Sequence, residues 1–280
     1  MIVRPSSPGD APGIEALLFY GDMVFRHLDW LDPGIWLEDS STLILEDSGK
    51  IEAILVIPEE PAGIHWIRML VKHSRVDLDS ALQSFWNYIL QNYHSEFHAA
   101  LILHSFDHAQ ILKKVGFGHF QSIVFLSREQ HSTFTVPPLS LEVHIRTYEP
   151  SDLDKVVKVD QESFIPLWRN SKRALEAGTR AKGYSTVAVL GEEVIGYQLS
   201  NINFGSMHLA RLAVLPTHQG KGIAAALLND LFHYGDSIGC GNITVNTQSN
   251  NQGSLRLYQK AGFKLQDQTF PVFEFGNKGE

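Results

Sequence analysis

The chain has 280 residues, 44% of them apolar, with 23 Lys+Arg against 31 Asp+Glu for a formal net charge of -8. That much apolar material fills one large core or two ordinary ones and excludes a disordered chain. The acidic balance excludes a broad phosphate-binding face, and a lone cysteine, Cys240, excludes an intrachain disulfide or a multi-thiolate metal site.

The chain opens on MIVRPSSPGD, which has no cationic segment leading into an apolar one, and no run reaches the roughly 20 apolar residues of a membrane helix. A cytoplasmic globule without membrane or nucleic-acid partners is expected. Val3-Arg4 with Pro8 and Asp10 returns later as Ile145-Arg146 with Pro150 and Asp152. Met69-Leu70-Val71 returns as Leu212-Ala213-Val214, and Lys114-Val115-Gly116-Phe117 as Lys260-Ala261-Gly262-Phe263. The near-constant spacing predicts an internal duplication. Between the copies, Pro137-Pro138 removes two backbone donors and predicts an extended linker. The predicted domains are 1–132 and 141–280, joined by 133–140.

In the rear half, Val143–Thr147 alternates as a strand, and Ser151 or Asp152 caps a helix through about Gln161. Thr186–Leu190 and Val194–Ser200 flank Gly191 as a hairpin, and His208–Leu215 is a strand stopped by Pro216. A glycine-bearing turn then enters a helix whose Ile223, Leu227, Leu228, Leu231 and Phe232 share one face. Asn242–Thr247 is a strand, Asn251 opens a short helix that Gly262 can close, and Phe270–Phe275 alternates as the last strand. Mixed strands and helices predict an α/β fold.

The most informative stretch is Leu212 to Leu228. Glycines at 220 and 222 let backbone N–H groups approach a ligand, and a helix start adds unpaired donors with the positive end of the macrodipole. Three readings stand on the residues alone. One is a structural turn. A second is a dinucleotide site, since Gly220-x-Gly222-x-x-Ala225 has the glycine spacing, but the acidic residue expected about 20 positions on is missing from Asn242–Thr247. The third is a coenzyme A pyrophosphate cradle.

Val214-Leu215-Pro216 followed by Gln219-Gly220-Lys221-Gly222-Ile223-Ala224 resembles the Q/R-x-x-G-x-G/A signature of the GNAT (Gcn5-related N-acetyltransferase) superfamily. The companion pattern N-x-x-A-x-x-L-Y-x-K-x-G-F is present as Asn251, Leu257, Tyr258, Lys260, Gly262 and Phe263, with Ser254 in place of alanine. The resemblance covers 141–280. It implies an α/β (α+β) fold of two tandem GNAT-like domains, each a mixed, mostly antiparallel twisted sheet flanked by helices. It implies an acyltransferase that moves an acetyl group from acetyl-CoA, without a metal, to a primary amine on a small molecule or peptide N-terminus. Acetyl-CoA would meet Leu212, Ala213, Val214, Gln219, Gly220, Lys221, Gly222, Ile223, Ala224, Asn251 and Tyr258, in a gap where the 208–214 strand splays from the 242–247 strand. Tyr258 would protonate the departing thiolate.

The RimI-like branch, the ribosomal-protein alanine acetyltransferases, carries a glutamate as general base at the position held here by Asn246. His208, Glu162 and Asp160 are the alternatives by residue type. Glu162-Ser163-Phe164-Ile165-Pro166-Leu167-Trp168 is similar to that branch's acceptor segment, which would put Phe164, Trp168 and Asn246 at the acceptor. The resemblance implies a monomer or homodimer. The reading from another class is a non-catalytic acyl-CoA sensor. In the front copy, aligning Val71 with Val214 sets Asp77 and Asp79 against Gly220 and Gly222, and Leu112 against Tyr258. A carboxylate about 5 Å from a phosphate costs roughly 3 kcal/mol at an effective dielectric of ~20, so the front copy is expected not to bind the coenzyme in this way.

Overall fold

The computed structural model describes residues 1–27, 29–37, 40–93, 97–129, 134–136, 139 and 142–276. They form two compact units: unit 1 is Met1–Gln121 with the chain from Phe270 onward, and unit 2 is Ser122–Thr269. Half of the 133–140 stretch, Pro137 and Pro138 included, lies outside the described residues. The division therefore differs from a single cut between 132 and 141. Each half ends in a long strand whose last residues complete the other unit's sheet. The physical reason is edge protection: pairing these strand ends covers backbone groups that β13 and β7 would otherwise leave unpaired.

Unit 1 contains β1 (Ile2–Pro5), α1 (Ala11–Tyr20), β2 (Asp22–Arg26), β3 (Thr42–Asp47), β4 (Lys50–Val56), β5 (His65–Trp66), β6 (Met69–Lys72), α2 (Leu78–Asn92), β7 (Ala99–Ile102), α3 (Ala109–Lys114) and the start of β8 (Gly118–Glu129). Five strands pair antiparallel in the order β1-β3-β4-β6-β2. β5 runs parallel to β7, whose other side is closed by residues 272–275. On α2, Ala81, Leu82, Phe85, Trp86 and Ile89 follow helical spacing and are buried with Leu55, Leu101 and Phe273.

Unit 2 contains the rest of β8, then β9 (Val143–Thr147), α4 (Leu153–Ser163), α5 (Lys172–Arg180), β10 (Gly183–Leu190), β11 (Glu193–Asn203), β12 (Ser206–Val214), α6 (Ile223–Ser237), β13 (Asn242–Gln248), α7 (Gln252–Lys260) and the start of β14 (Lys264–Phe275). The strand order is β9-β10-β11-β12-β13-β8. Among the described strands of this order only β12 and β13 are parallel, and their register runs from Ser206↔Asn242 to Leu209↔Val245 and stops there. Beyond it the two strands part. β8 covers the far side of β13, from Ile123↔Gln248 to Glu129↔Asn242. α6 buries Ile223, Leu227, Leu228, Leu231 and Phe232 on the face its periodicity predicts. α5 has no counterpart in the sequence reading. Only Ala174, Leu175 and Gly178 of it are buried, so its apolar signal is thin. Both units keep the duplicated pair that ties the first strand to the first helix: Arg4–Asp10 at 2.7 Å and Arg146–Asp152 at 2.6 Å.

Candidate active site

The divergence of β12 from β13 opens a cleft of about 650 Å³ in unit 2. Its floor is Leu212, Ala213 and Val214; one wall is the turn at Gln219, Gly220 and Gly222 with Ile223–Ala225; the other is Asn251, Ser254, Leu257 and Tyr258. Leu215 donates its N–H to Ile195 O of β11, at 2.9 Å. Strand alternation then turns the peptide groups of Leu212 and Val214 toward the open side. The Val214 carbonyl is met there by two side chains, Ser163 Oγ at 3.1 Å and Gln219 Nε2 at 2.9 Å. Past Leu209 the ladder has no strand to offer the remaining groups.

The turn is built by two left-handed glycines, Gly220 at φ 74° and Gly222 at φ 85°, a region that costs an L side chain about 1–2 kcal/mol. Gly222 is the N-cap of α6 and supplies no side-chain cap. The helical ladder begins with Ala226 N–H to Gly222 O at 3.0 Å, so the amides of 223–225 lack an intrahelical acceptor. Donors without partners at the positive end of a 15-residue helix suit a phosphate. Lys221 does not join them: it folds back to donate to Thr217 O at 2.9 Å. Arg256, Lys260 and His218 do line the cleft. The sequence reading put none of them at the site, although Lys260 belongs to the companion pattern and Arg256 stands one helical turn before it on α7.

Asn251 caps α7 by accepting from Ser254 N–H at 3.1 Å, and also faces the cleft. Tyr258 is buried, packs edge-on against Phe263 at 5.5 Å between ring centroids, and reaches the cleft. Burial pushes its phenol well above the ordinary tyrosine range, so it stays protonated and able to donate.

Of the remaining predicted site residues only Phe164 is in the described cleft lining. His208 sits where β12 and β13 still pair, its Nδ1 2.9 Å from Thr244 Oγ1, and burial lowers its pKa. Glu162 is exposed on α4, and Asn246 is exposed on β13 opposite Phe125. Asp160 is buried and committed: Oδ2 takes Arg211 Nε at 2.8 Å and Tyr197 OH at 2.5 Å, and Oδ1 takes Asn170 N–H at 2.8 Å. Phe164 lines the cleft with the Arg211 guanidinium 3.5 Å from its ring centroid. Trp168 is half-buried and gives its carbonyl to Arg211 Nη2 at 2.5 Å. The described cleft lining holds no carboxylate. Among the described residues no group of three or more His, Cys, Asp or Glu is placed to hold a metal ion, and no helix is long and apolar enough to cross a membrane.

Unit 1 treats the corresponding place differently. β2 pairs with β6 from Asp22↔Lys72 to Arg26↔Met69, along the edge equivalent to Leu212–Leu215. Val24 and Phe25 thus enter the gap beside Leu101 and Leu103, leaving about 20 Å³. Asp77 caps α2 by accepting from Ser80 N–H and Oγ at 2.9 Å, and Asp79 is paired with Lys114.

Residues 152–263 match the model of the acetyltransferase (GNAT) family. An uncharacterized N-acetyltransferase of Methanocaldococcus jannaschii is 30% identical over 121 residues, covering 43% of this chain and 77% of that protein. Among solved structures, a GCN5-related N-acetyltransferase from Sphaerobacter thermophilus is 17% identical with a TM-score of 0.60, over 98% of this chain and 94% of its own. A tandem GNAT protein from the clavulanic acid biosynthesis pathway is 11% identical with a TM-score of 0.61, over 99% of both chains. At such identities the structural likenesses speak for the fold, here the tandem α/β arrangement. With the family match and the archaeal relative added, the chain belongs to the GNAT family of acetyltransferase enzymes.

Proposed function

We propose that unit 2 transfers an acetyl group from acetyl-CoA to a primary amine by direct attack, and that unit 1 is a copy without a coenzyme site. The observation that carries this reading is the open cleft, with an uncapped helix start at one end and the Tyr258 phenol in its wall. The pyrophosphate fits the amides of 220–225, where Gly222 leaves room and donors together. The pantetheine arm fits the unpaired edge at Leu212–Val214, and the Val214 N–H would steady the oxyanion.

The amine nitrogen attacks the thioester carbonyl, a C–N bond forms, and the C–S bond breaks as the tetrahedral intermediate collapses. Tyr258 gives its proton to the thiolate and regains one from solvent. The described lining holds no carboxylate, and in this scheme the proton leaving the amine passes to solvent. Lys221 and His208 have structural roles in this scheme, and Phe164 borders the acceptor side.

Calorimetry with acetyl-CoA, followed by free-thiol release across a panel of amines, tests the reading. Tight binding with amine-dependent thiol release is expected. Absence of binding overturns it, and binding without release to any amine replaces the enzyme with an acyl-CoA sensor.

A further inference from the structure

The two units place the same piece of chain in opposite ways. In unit 1 the segment after the first helix, Gly21 into β2, lies along β6 as a strand. In unit 2 the chain from Ser163, the last residue of α4, to Asn170 forms a 3-10 turn at Pro166–Trp168 and leaves the equivalent edge of β12 without a strand partner. Sequence differences at three repeat positions account for the change. Gly21 allows close approach, since a Cβ there would lie 2.5 Å from Leu17 O and 2.9 Å from Lys72 O; unit 2 has Ser163, whose hydroxyl holds Val214 O. Val24 becomes Pro166, which has no N–H for a ladder. Leu18 becomes Asp160.

Arginine is kept at the fourth position, as Arg68 and Arg211, but its partners change. Arg68 bonds Asp29 at 2.5 Å and Glu60 O at 3.0 Å, neither of them on α1. Arg211 instead joins Asp160 on α4, the Trp168 carbonyl and the face of Phe164. Asp160 also takes the Asn170 amide, so both ends of the 164–170 segment are tied to one buried ion pair.

We propose that the Asp160–Arg211 pair is a positioning device: it pins residues 164–170 away from β12, keeping open the edge that its counterpart closes in unit 1. The inference rests on the coenzyme reading above for its purpose but not for its test. Deleting one member of a buried pair strands the other, so the two are replaced together by apolar side chains of similar size, Asp160→Leu with Arg211→Met. A second variant, Ser163→Gly with Pro166→Val, transplants the unit 1 residues into an exposed or half-exposed segment and decides the matter if the first does not fold.

Hydrogen exchange is followed across 211–215 without any ligand, then acetyl-CoA affinity is measured by calorimetry. The expected result is exchange slowed at least about tenfold in the variants, as the freed segment pairs with β12, and acetyl-CoA bound at least about tenfold more weakly. Unchanged exchange over 211–215 in the folded variants overturns the proposal. Wild-type protein that fails to bind acetyl-CoA while the variants still gain protection refutes the coenzyme reading and leaves the positioning role standing.

Discussion

Gly222 offers the sharpest test of what the turn holds. It caps α6 in the left-handed region at φ 85° with no side chain to occupy the helix donors. An aspartate there does three things: it strains the backbone, takes an amide by capping, and puts a negative charge beside the proposed pyrophosphate. Asparagine does the first two with nearly the same shape and is itself tolerant of the left-handed region. The comparison of Gly222→Asp with Gly222→Asn therefore isolates charge. At ~5 Å and an effective dielectric of ~20, one unit charge against another costs about 3 kcal/mol, which is roughly a 200-fold difference in Kd.

Unit 1 shows the carboxylate version already built: Asp77 caps α2, and Asp79 answers to Lys114 rather than to a ligand. Titration calorimetry with acetyl-CoA at low ionic strength reads the ratio directly. Repeating it near 1 M salt, where the Debye length is about 3 Å, shrinks the gap if the term is electrostatic. Affinities for the Asp and Asn variants within about threefold of each other at low salt would refute a pyrophosphate at this turn.

Tyr258→Phe should lower kcat by about 10²- to 10⁴-fold while leaving the acetyl-CoA Kd within about twofold; an unaltered kcat in steady-state assays removes the phenol from proton transfer. Because burial raises the Tyr258 pKa and the described cleft lining has no carboxylate, kcat/KM should rise about tenfold per pH unit until the acceptor amine's own pKa, about 8 for an α-amine and about 10.4 for a lysine-like one. A plateau beginning near pH 6 to 7 would reveal a protein base and contradict direct loss of the proton to solvent. Asp10 and Asp152 are both held below the ordinary carboxylate range, chiefly by hydrogen bonds from Arg4 and Arg146. Their contribution is present above about pH 4 and fades as pH falls below it, so urea midpoints of Asp10→Asn and Asp152→Asn should be lower than wild type at pH 7 and converge on it in acid. Parallel pH curves for variant and wild type would deny these pairs a linked role.

Much of unit 2 was legible because its signals are local. A proline stops β12, two glycines build the turn, periodicity sets the buried face of α6, and Asn251 caps α7. Each lies within a few residues of what it controls. The same locality explains what was hidden. Asp160 looks like any helix carboxylate until Arg211, 51 positions later, arrives from β12 to bond it. His208 looks like a cleft base until β13 brings Thr244 against its ring. The exchanged strand ends escaped for a related reason. No strand is expected over 118–129 in the sequence reading, and an apolar run such as Ile123–Leu126 does not say which of two sheets it finishes; that choice belongs to the edge of β13.

Duplication itself limits what a motif can say. The front copy has lost both glycines and the tyrosine, which reads as simple decay of a site. The structure adds that the vacated gap did not stay empty: Val24 and Phe25 fill it, and about 20 Å³ remains where unit 2 has about 650 Å³. An apolar gap with an unpaired strand edge is unstable in water, so a copy relieved of its ligand gains by folding its own chain into the place, satisfying backbone groups and burying apolar surface at once. On the proposed coenzyme reading unit 2 faces the opposite requirement and must hold that same chain out. Ser163, Pro166 and the buried Asp160–Arg211 pair are where unit 2 meets it. The residues that distinguish the two copies are therefore to be sought as much in the segment that could occlude the cleft as in the turn that would grip the coenzyme.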